Sequence, residues 1–279
     1  MALPTRELVI LGAGTAGTMM AWLLLPRLPA GWRITVVDPS TTHLYQPGLL
    51  FLPFDIYTPQ GIVRDRKRTL PPEVTWVTAA MKAVDETAKT VTLDDGNVLK
   101  YDVLISATGC RTVPESLPGL SEGGWGTSAF DFYTLEGSVG LRDRLRRFDG
   151  GRVVVNPVEM PIKCPVAPLE MVFLLDAHFT NLGIRDDVQL TYVTPLDGAF
   201  TKPVAAAHLA TLLAARNIDV VTDFACGEVQ GSATGGRIVS HDDRTVDYDV
   251  LVSTPPHRGA DALDNSELTD ELAYVRVDR

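Results

Sequence analysis

The stretch LVILGAGTAGTMMAWLLLP, residues 8–26, decides the fold. Leu8 to Leu11 is a short apolar run that ends in glycine, and helical character follows from Thr18 to Leu25 until Pro26 stops it. Between the two, Gly12, Gly14 and Gly17 fit the spacing GxGxxG. Gly12 permits a tight turn, Gly14 lets the backbone approach a pyrophosphate, and Gly17 lets helix and sheet pack closely. The helix N-terminus then offers free N–H groups and a partial positive charge to the phosphates. Arg33 to Val37 reads as a second strand, and Asp38 at its end is placed to accept hydrogen bonds from an adenosine ribose. Such a glycine spacing alone also describes a purely structural turn. With strand, helix and acid in register, dinucleotide binding is the better reading.

Working outward, residues 74–99 alternate Val and Thr with polar residues and carry an Asp-Asp-Gly turn at Asp94 to Gly96, the pattern of a small antiparallel meander. An internal echo follows. Residues 95–109 read DGNVLKYDVLISATG and residues 242–256 read DDRTVDYDVLVSTPP: a polar turn, a Tyr-Asp pair and an apolar strand ending in small residues. Two copies of one architecture are implied, the second beginning at Gly151 to Val155 and including a strand at Val188 to Val193. A chain of 279 residues is long enough for two such cores. The expected fold is therefore α/β with two Rossmann-like, three-layer lobes. Residues 1–115 form the nucleotide-binding lobe with its meander, and 116–150 the connection, marked by Gly, Pro and Ser between Pro114 and Gly126. Residues 151–256 form the second lobe, and 257–279 return toward the first.

Composition excludes several classes. A net charge of -10 without a long basic face argues against nucleic acid, whose phosphates need cations to displace their counterions. The one basic run, Arg64 to Arg68, is broken by Asp65 and reads as a solvated loop. Three dispersed cysteines, Cys110, Cys164 and Cys226, make no disulfide framework and no CxxC pair. His43, His178, His208, His241 and His257 lack ligand spacing, so no metal is expected; His178 reads as an ordinary helix-face residue and Cys226 as structural. Residues 1–7 lack a charged segment followed by an apolar one, so a cytoplasmic, reducing location is expected. The longest apolar stretches, 19–25 and 49–54, fall far short of the ~20 residues of a membrane-spanning helix. Burial is the expected account of the apolar run 48–54.

Ala107-Thr108-Gly109, at the end of the first returning strand, resembles the loop that passes close to FAD in flavoproteins with two dinucleotide-binding domains. In the nicotinamide-dependent ones the strand matching Arg152 to Val155 runs into a second glycine-rich turn. Here it runs into Asn156-Pro157-Val158-Glu159-Met160-Pro161, with no glycine. Prolines at 157, 161 and 165 remove backbone donors, so a reduced nicotinamide is not expected as electron donor. In place of the turn stands KCPVAPLE, residues 163–170, leading into an apolar helix from about Leu169 to Thr180. A thiol just before a helix N-terminus, with Lys163 beside it, is favoured as thiolate, the nucleophilic form. A small buried cysteine in a Pro-rich loop is the bland alternative; the loop's position favours a redox role for Cys164.

At these residues the chain resembles the sulfide:quinone oxidoreductases and, nearly as well, the flavoprotein subunit of flavocytochrome c sulfide dehydrogenases. The resemblance runs from Leu8 to Arg279 and rests on GAGTAG, the VVDPS strand end, THLYQPG at 42–48, ATG, PIKCPVAPLE and STPPHRGADAL at 253–263. It implies a glutathione-reductase-like fold and FAD as cofactor. Gly12, Gly14, Thr15, Ala16, Gly17, Asp38, Gln46, Met81 (through its backbone), Thr108 and Gly109 would touch it. It also implies that Cys164 carries sulfur next to the flavin, with Glu170 handling protons. Partners would be sulfide or a related small sulfur species and a quinone.

The chain also departs from the family. An additional cysteine carried by many bacterial members would fall near Ala129 or Phe130, and Cys110 matches no family position. The family continues well past Arg279, with a partner cysteine, a Gly-Asp motif completing the FAD site, most quinone contacts and membrane-docking helices. Tyr274 to Asp278 resembles the stretch just upstream of that motif, so Arg279 reads as a truncation point. Peripheral membrane association on the cytoplasmic side would come from that missing part. The expected function is FAD-dependent sulfide oxidation through a Cys164 persulfide. A non-catalytic FAD-binding fragment and a type II NADH dehydrogenase are the alternatives.

Overall fold

The computed structural model describes residues 5–263 and 266–278. Arg279 and the first four residues of the expected leaderless start lie outside them. The chain divides into two compact units, Met1–Tyr45 with Ile62–Arg111 and Arg258–Arg279, and Gln46–Gly61 with Thr112–His257.

In the first unit, β1 (Arg6–Leu11), β2 (Trp32–Val37), β3 (Thr75–Val77) and β4 (Val103–Ser106) form a parallel sheet in the order β3-β2-β1-β4. Residues 8–11 of β1 are all buried, as a strand covered on both faces must be. Strand alternation sends Leu8 and Ile10 to one face, where they pack with Ala21 of α1 (Thr15–Leu24). Val9 and Leu11 go to the other, against Val91 and Leu93 of the antiparallel meander Met81–Asp85, Thr90–Leu93 and Val98–Lys100. Helix, sheet and meander are the three expected layers. The helix starts at Thr15, earlier than Thr18, with Gly14 as its N-cap and Gly17 in its first turn. Close packing at Gly17 overrides glycine's poor helix propensity.

The second unit repeats the plan. Its parallel sheet runs β5-β9-β6-β7-β8, from β5 (Ala129–Phe130), β6 (Gly151–Pro157), β7 (Val188–Val193), β8 (Ile218–Val221) and β9 (Val250–Thr254). Val153 and Val155 of β6 pack with Leu141 of α2 (Leu135–Leu145) and Leu175 of α3 (Ala167–Leu182). Leu213 of α4 (Pro203–Ala214) belongs to the same core. Val154 faces the other way, against Val229, Ile238 and Tyr248 of the antiparallel strands Cys226–Ser232, Gly235–Ser240 and Thr245–Tyr248. Leu49, Leu50 and Leu52 of the apolar run are buried, and Leu50 joins this core. Residues 116–150, read as a connection, hold β5 and α2.

The sequence echo extends to side chains. Asp102, just before β4, accepts the N–H of Glu7 in β1 at 2.8 Å, and Asp249, just before β9, accepts the N–H of Arg152 in β6 at 2.8 Å. Asp102 and Asp249 in turn donate their own N–H groups to the carbonyls of Glu7 and Arg152. One aspartate thus ties the returning strand to the first strand in both units.

Candidate functional sites

In the first unit the glycine turn is built by backbone contact. Gly12 has φ +92°, and a Cβ there would stand 2.4 Å from the carbonyl oxygen of Ala107, so the turn lies directly against the Ala107-Thr108-Gly109 loop. A Cβ on Gly17 would stand 1.8 Å from the Gly12 carbonyl oxygen. Gly14 is different: it has φ -66°, and nothing lies within 4 Å of where its Cβ would be. Helix geometry leaves the N–H groups of Thr15, Ala16 and Gly17 without intrahelical acceptors, and no side chain caps α1. Open space above a side-chain-free turn, beside unused donors, fits a pyrophosphate.

Asp38 buttresses this turn. Its carboxylate accepts the Ala13 N–H at 2.7 Å and the Ser40 N–H at 2.8 Å, and pairs with the Arg66 guanidinium at 3.2 Å. Arg66 also donates to the carbonyls of Ser40 and Ala13. The basic run expected as a solvated loop is therefore corrected at its centre, since Arg66 is only 4% exposed. Arg66 neutralises the half-buried Asp38 carboxylate, and its own burial pushes its pKa down against the opposing pull of Asp38. No local motif marks Arg66 within its short basic run; the tertiary contact with Asp38 gives it this role. Met81 lies in the meander of the same unit and packs near Leu11 and Val37. Gln46 belongs to the second unit.

The second unit carries the other predicted residues. Cys164 is exposed and sits in the left-handed region at φ +59°. Its carbonyl accepts two hydrogen bonds, from the Tyr133 hydroxyl at 3.2 Å and the Ala167 N–H at 3.1 Å. The Lys163 ammonium lies 5.6 Å from the centre of the Tyr133 ring. Glu170, exposed in the first turn of α3, is where a negative charge suits the helix dipole. The start of α3 is closed to an anion: the N–H groups of Leu169 and Glu170 both donate to Val166, that of Ala167 to Cys164, and Pro168 has none. Tyr133, which sequence reading missed, is 8% exposed, and burial, then the nearby Cys164, push its phenol far up.

The other thiols differ. Cys226 is buried and pushed up to about 12 by burial. Cys110 is half-buried beside Tyr274, whose phenol is pushed up to about 12 by burial first and then by this thiol. Among the described residues no group of three His, Cys, Asp or Glu could hold a metal, and no helix is long and apolar enough to cross a membrane.

Residues 6–155 match the pyridine nucleotide-disulphide oxidoreductase family, and the chain belongs to it. The family is one of FAD-binding flavoproteins, and FAD is the cofactor. The chain is 25% identical over 277 residues to the mitochondrial sulfide:quinone oxidoreductase of Mus musculus, covering 98% of this chain and 61% of that protein. It is 26% identical over 278 residues to the mitochondrial sulfide:quinone oxidoreductase of Dictyostelium discoideum, with the same coverage. Among solved structures, the sulfide:quinone oxidoreductase from Aquifex aeolicus shares the fold with a TM-score of 0.80 at 20% identity, over 94% of this chain and 61% of that one. The chain thus spans about three-fifths of the length of these relatives, and the resemblance read from its motifs holds.

Proposed function

We propose that the protein to which this chain belongs oxidises sulfide at Cys164 and passes the electrons through FAD to a quinone. The observation that carries the reading is the placement of Cys164. The loop after β1 leads through the glycine turn into α1. The corresponding loop after β6 leads instead through an exposed, left-handed cysteine into α3. The names of the relatives supply sulfide and quinone as the partners of those proteins.

Bound FAD supplies a two-electron acceptor. The free N–H groups of α1 would hold its pyrophosphate, and Asp38, paired with Arg66, would keep lone pairs for the ribose. Hydrosulfide attacks the Cys164 sulfur held in a disulfide; the new sulfur–sulfur bond makes a persulfide on Cys164, and the partner thiolate leaves with the electron pair. Lys163 offsets negative charge at the sulfur, and Glu170, exposed to water, takes the proton that the persulfide gives up when it ionises. Saturated donors at the start of α3 and prolines at 157, 161 and 165 argue against a nicotinamide phosphate there. Peripheral membrane contact on the cytoplasmic side belongs to the same proposal, as the route to quinone.

Anaerobic titration of the full-length protein tests this. Sulfide is expected to bleach the flavin band of the wild type, and Cys164→Ser to keep the flavin and lose the bleaching. Undiminished reduction in Cys164→Ser removes the mechanism. Rapid bleaching by NADH would promote a nicotinamide-driven reductase instead.

A further inference from the structure

We infer that Tyr133 is the positioning residue that presents the Cys164 thiol. Cys164 holds a backbone conformation that side chains other than glycine adopt only when their surroundings enforce it. What enforces it is visible at the carbonyl. The Tyr133 hydroxyl and the Ala167 N–H both donate to the Cys164 oxygen, which turns the peptide inward and leaves the side chain exposed. The Ala167 bond belongs to the first turn of α3 and comes with the helix. The bond from Tyr133 spans 31 residues and has to be built.

Tyr133 is itself held from behind. Oδ1 of Asp131, a residue only 2% exposed, accepts the N–H of Tyr133 and that of Thr134, both at 2.7 Å. Thr134 caps α2 by accepting the Gly137 N–H at 3.0 Å. A Cβ on Gly137 would stand 2.6 Å from Asp131 Oδ2, so only glycine leaves room for this carboxylate. The phenol ring meets the His257 ring edge-on, with centroids 5.1 Å apart, and the Phe132 ring at 4.7 Å. The tyrosine is thus a rigid arm from the β5–α2 turn, and its far end grips the redox loop. Its ring also carries the Lys163 ammonium, so one residue organises both the thiol and its neighbouring cation.

The inference rests on Cys164 being the reactive thiol, and the experiment separates the two. In the FAD-loaded full-length protein, with its disulfides first reduced, iodoacetamide labelling is followed at each cysteine by peptide mass spectrometry in wild type, Tyr133→Phe and Tyr133→Leu. Tyr133→Phe keeps the ring and removes only the hydroxyl. Loss of one hydrogen bond lets Cys164 relax toward an ordinary φ, and labelling at Cys164 relative to Cys110 is expected to slow by about 2- to 10-fold. Tyr133→Leu is expected to slow it at least as much. An unchanged Cys164 rate in Tyr133→Phe, or slowing only in Tyr133→Leu, overturns the inference, since the effect would then be ring packing. Faster labelling of Cys226 together with Cys164 also overturns it, because that pattern reports general loosening. Unlabelled, oxidised portions of the same proteins receive sulfide. Slowed labelling with no sulfide-driven flavin reduction even in wild type would sink the sulfide reading and leave the positioning role intact.

Discussion

Two glycines at the same helix start make opposite predictions, and the difference separates folding from binding. At Gly17 a methyl group would sit 1.8 Å from the Gly12 carbonyl oxygen, well inside the 3.0 Å that real Cβ contacts respect. In Gly17→Ala the start of α1 therefore has to move away from the turn by about 1.2 Å. Overpacking of this kind costs about 1–3 kcal/mol of stability. It also draws the α1 N–H groups out of hydrogen-bonding reach of a phosphate. At Gly14 the added side chain meets nothing, and φ is ordinary. In Gly14→Val a poorer N-cap and a stiffer unfolded chain act in opposite directions, each by about 1 kcal/mol or less, so the apoprotein should melt near the wild type. Binding should not survive, because the side chain fills the space the pyrophosphate needs. Losing two charge-assisted hydrogen bonds of about 1.5–3 kcal/mol each raises the FAD Kd by roughly 10²- to 10⁴-fold. Thermal melts of apoprotein by circular dichroism, with FAD titrations by flavin fluorescence, read both quantities. Full flavin occupancy in Gly14→Val would refute the placement of the pyrophosphate. Equal destabilisation of the two apoproteins would refute the openness of the Gly14 side.

Two other expectations follow from buried ionisable groups. Burial pushes the Asp131 pKa above its ordinary 3.8, against the hydrogen bonds from Thr134 and Tyr133 and the attraction of Lys163. A carboxyl raised in the folded state contributes stability below its unfolded pKa and loses it as pH rises through the folded value. Wild type should therefore lose stability relative to Asp131→Asn as pH climbs from about 4. Parallel urea midpoints for the two proteins from acid to neutral pH would refute this. Cys226, pushed up to about 12 and buried, should resist iodoacetamide at pH 8 while Cys164 is labelled. Equal labelling before unfolding would contradict its burial.

The parts legible in the sequence were those written in local pattern. The run 8–11, the glycine spacing and the Tyr-Asp echo each depend on residues close along the chain, and each became the element expected of it: β1, the turn against Ala107, and the strands β4 and β9. Boundaries drifted where two local rules compete. The helix after Cys164 begins at Ala167, ahead of the expected Leu169, because Pro168 falls in the first turn, where a missing N–H costs nothing.

What stayed hidden were the polar residues made important by tertiary contact. Arg66 looked like any member of a basic run, and only the fold brings it 28 positions back to Asp38. Tyr133 carries no motif and reaches Cys164 across 31 residues. The same comparison explains how one architecture can hold two different sites. In both units an aspartate ties the returning strand to the first strand, so the scaffold is constant up to the end of β1 and β6. Beyond that point the chemistry diverges through backbone donors alone. Glycines leave the N–H groups of α1 free for an anion, whereas the loop before α3 consumes its own donors and turns the Cys164 carbonyl inward. A loop that spends its donors internally gains the rigidity to hold a left-handed cysteine. On the proposed reading, the closed start of α3 and the presented thiol come from one loop.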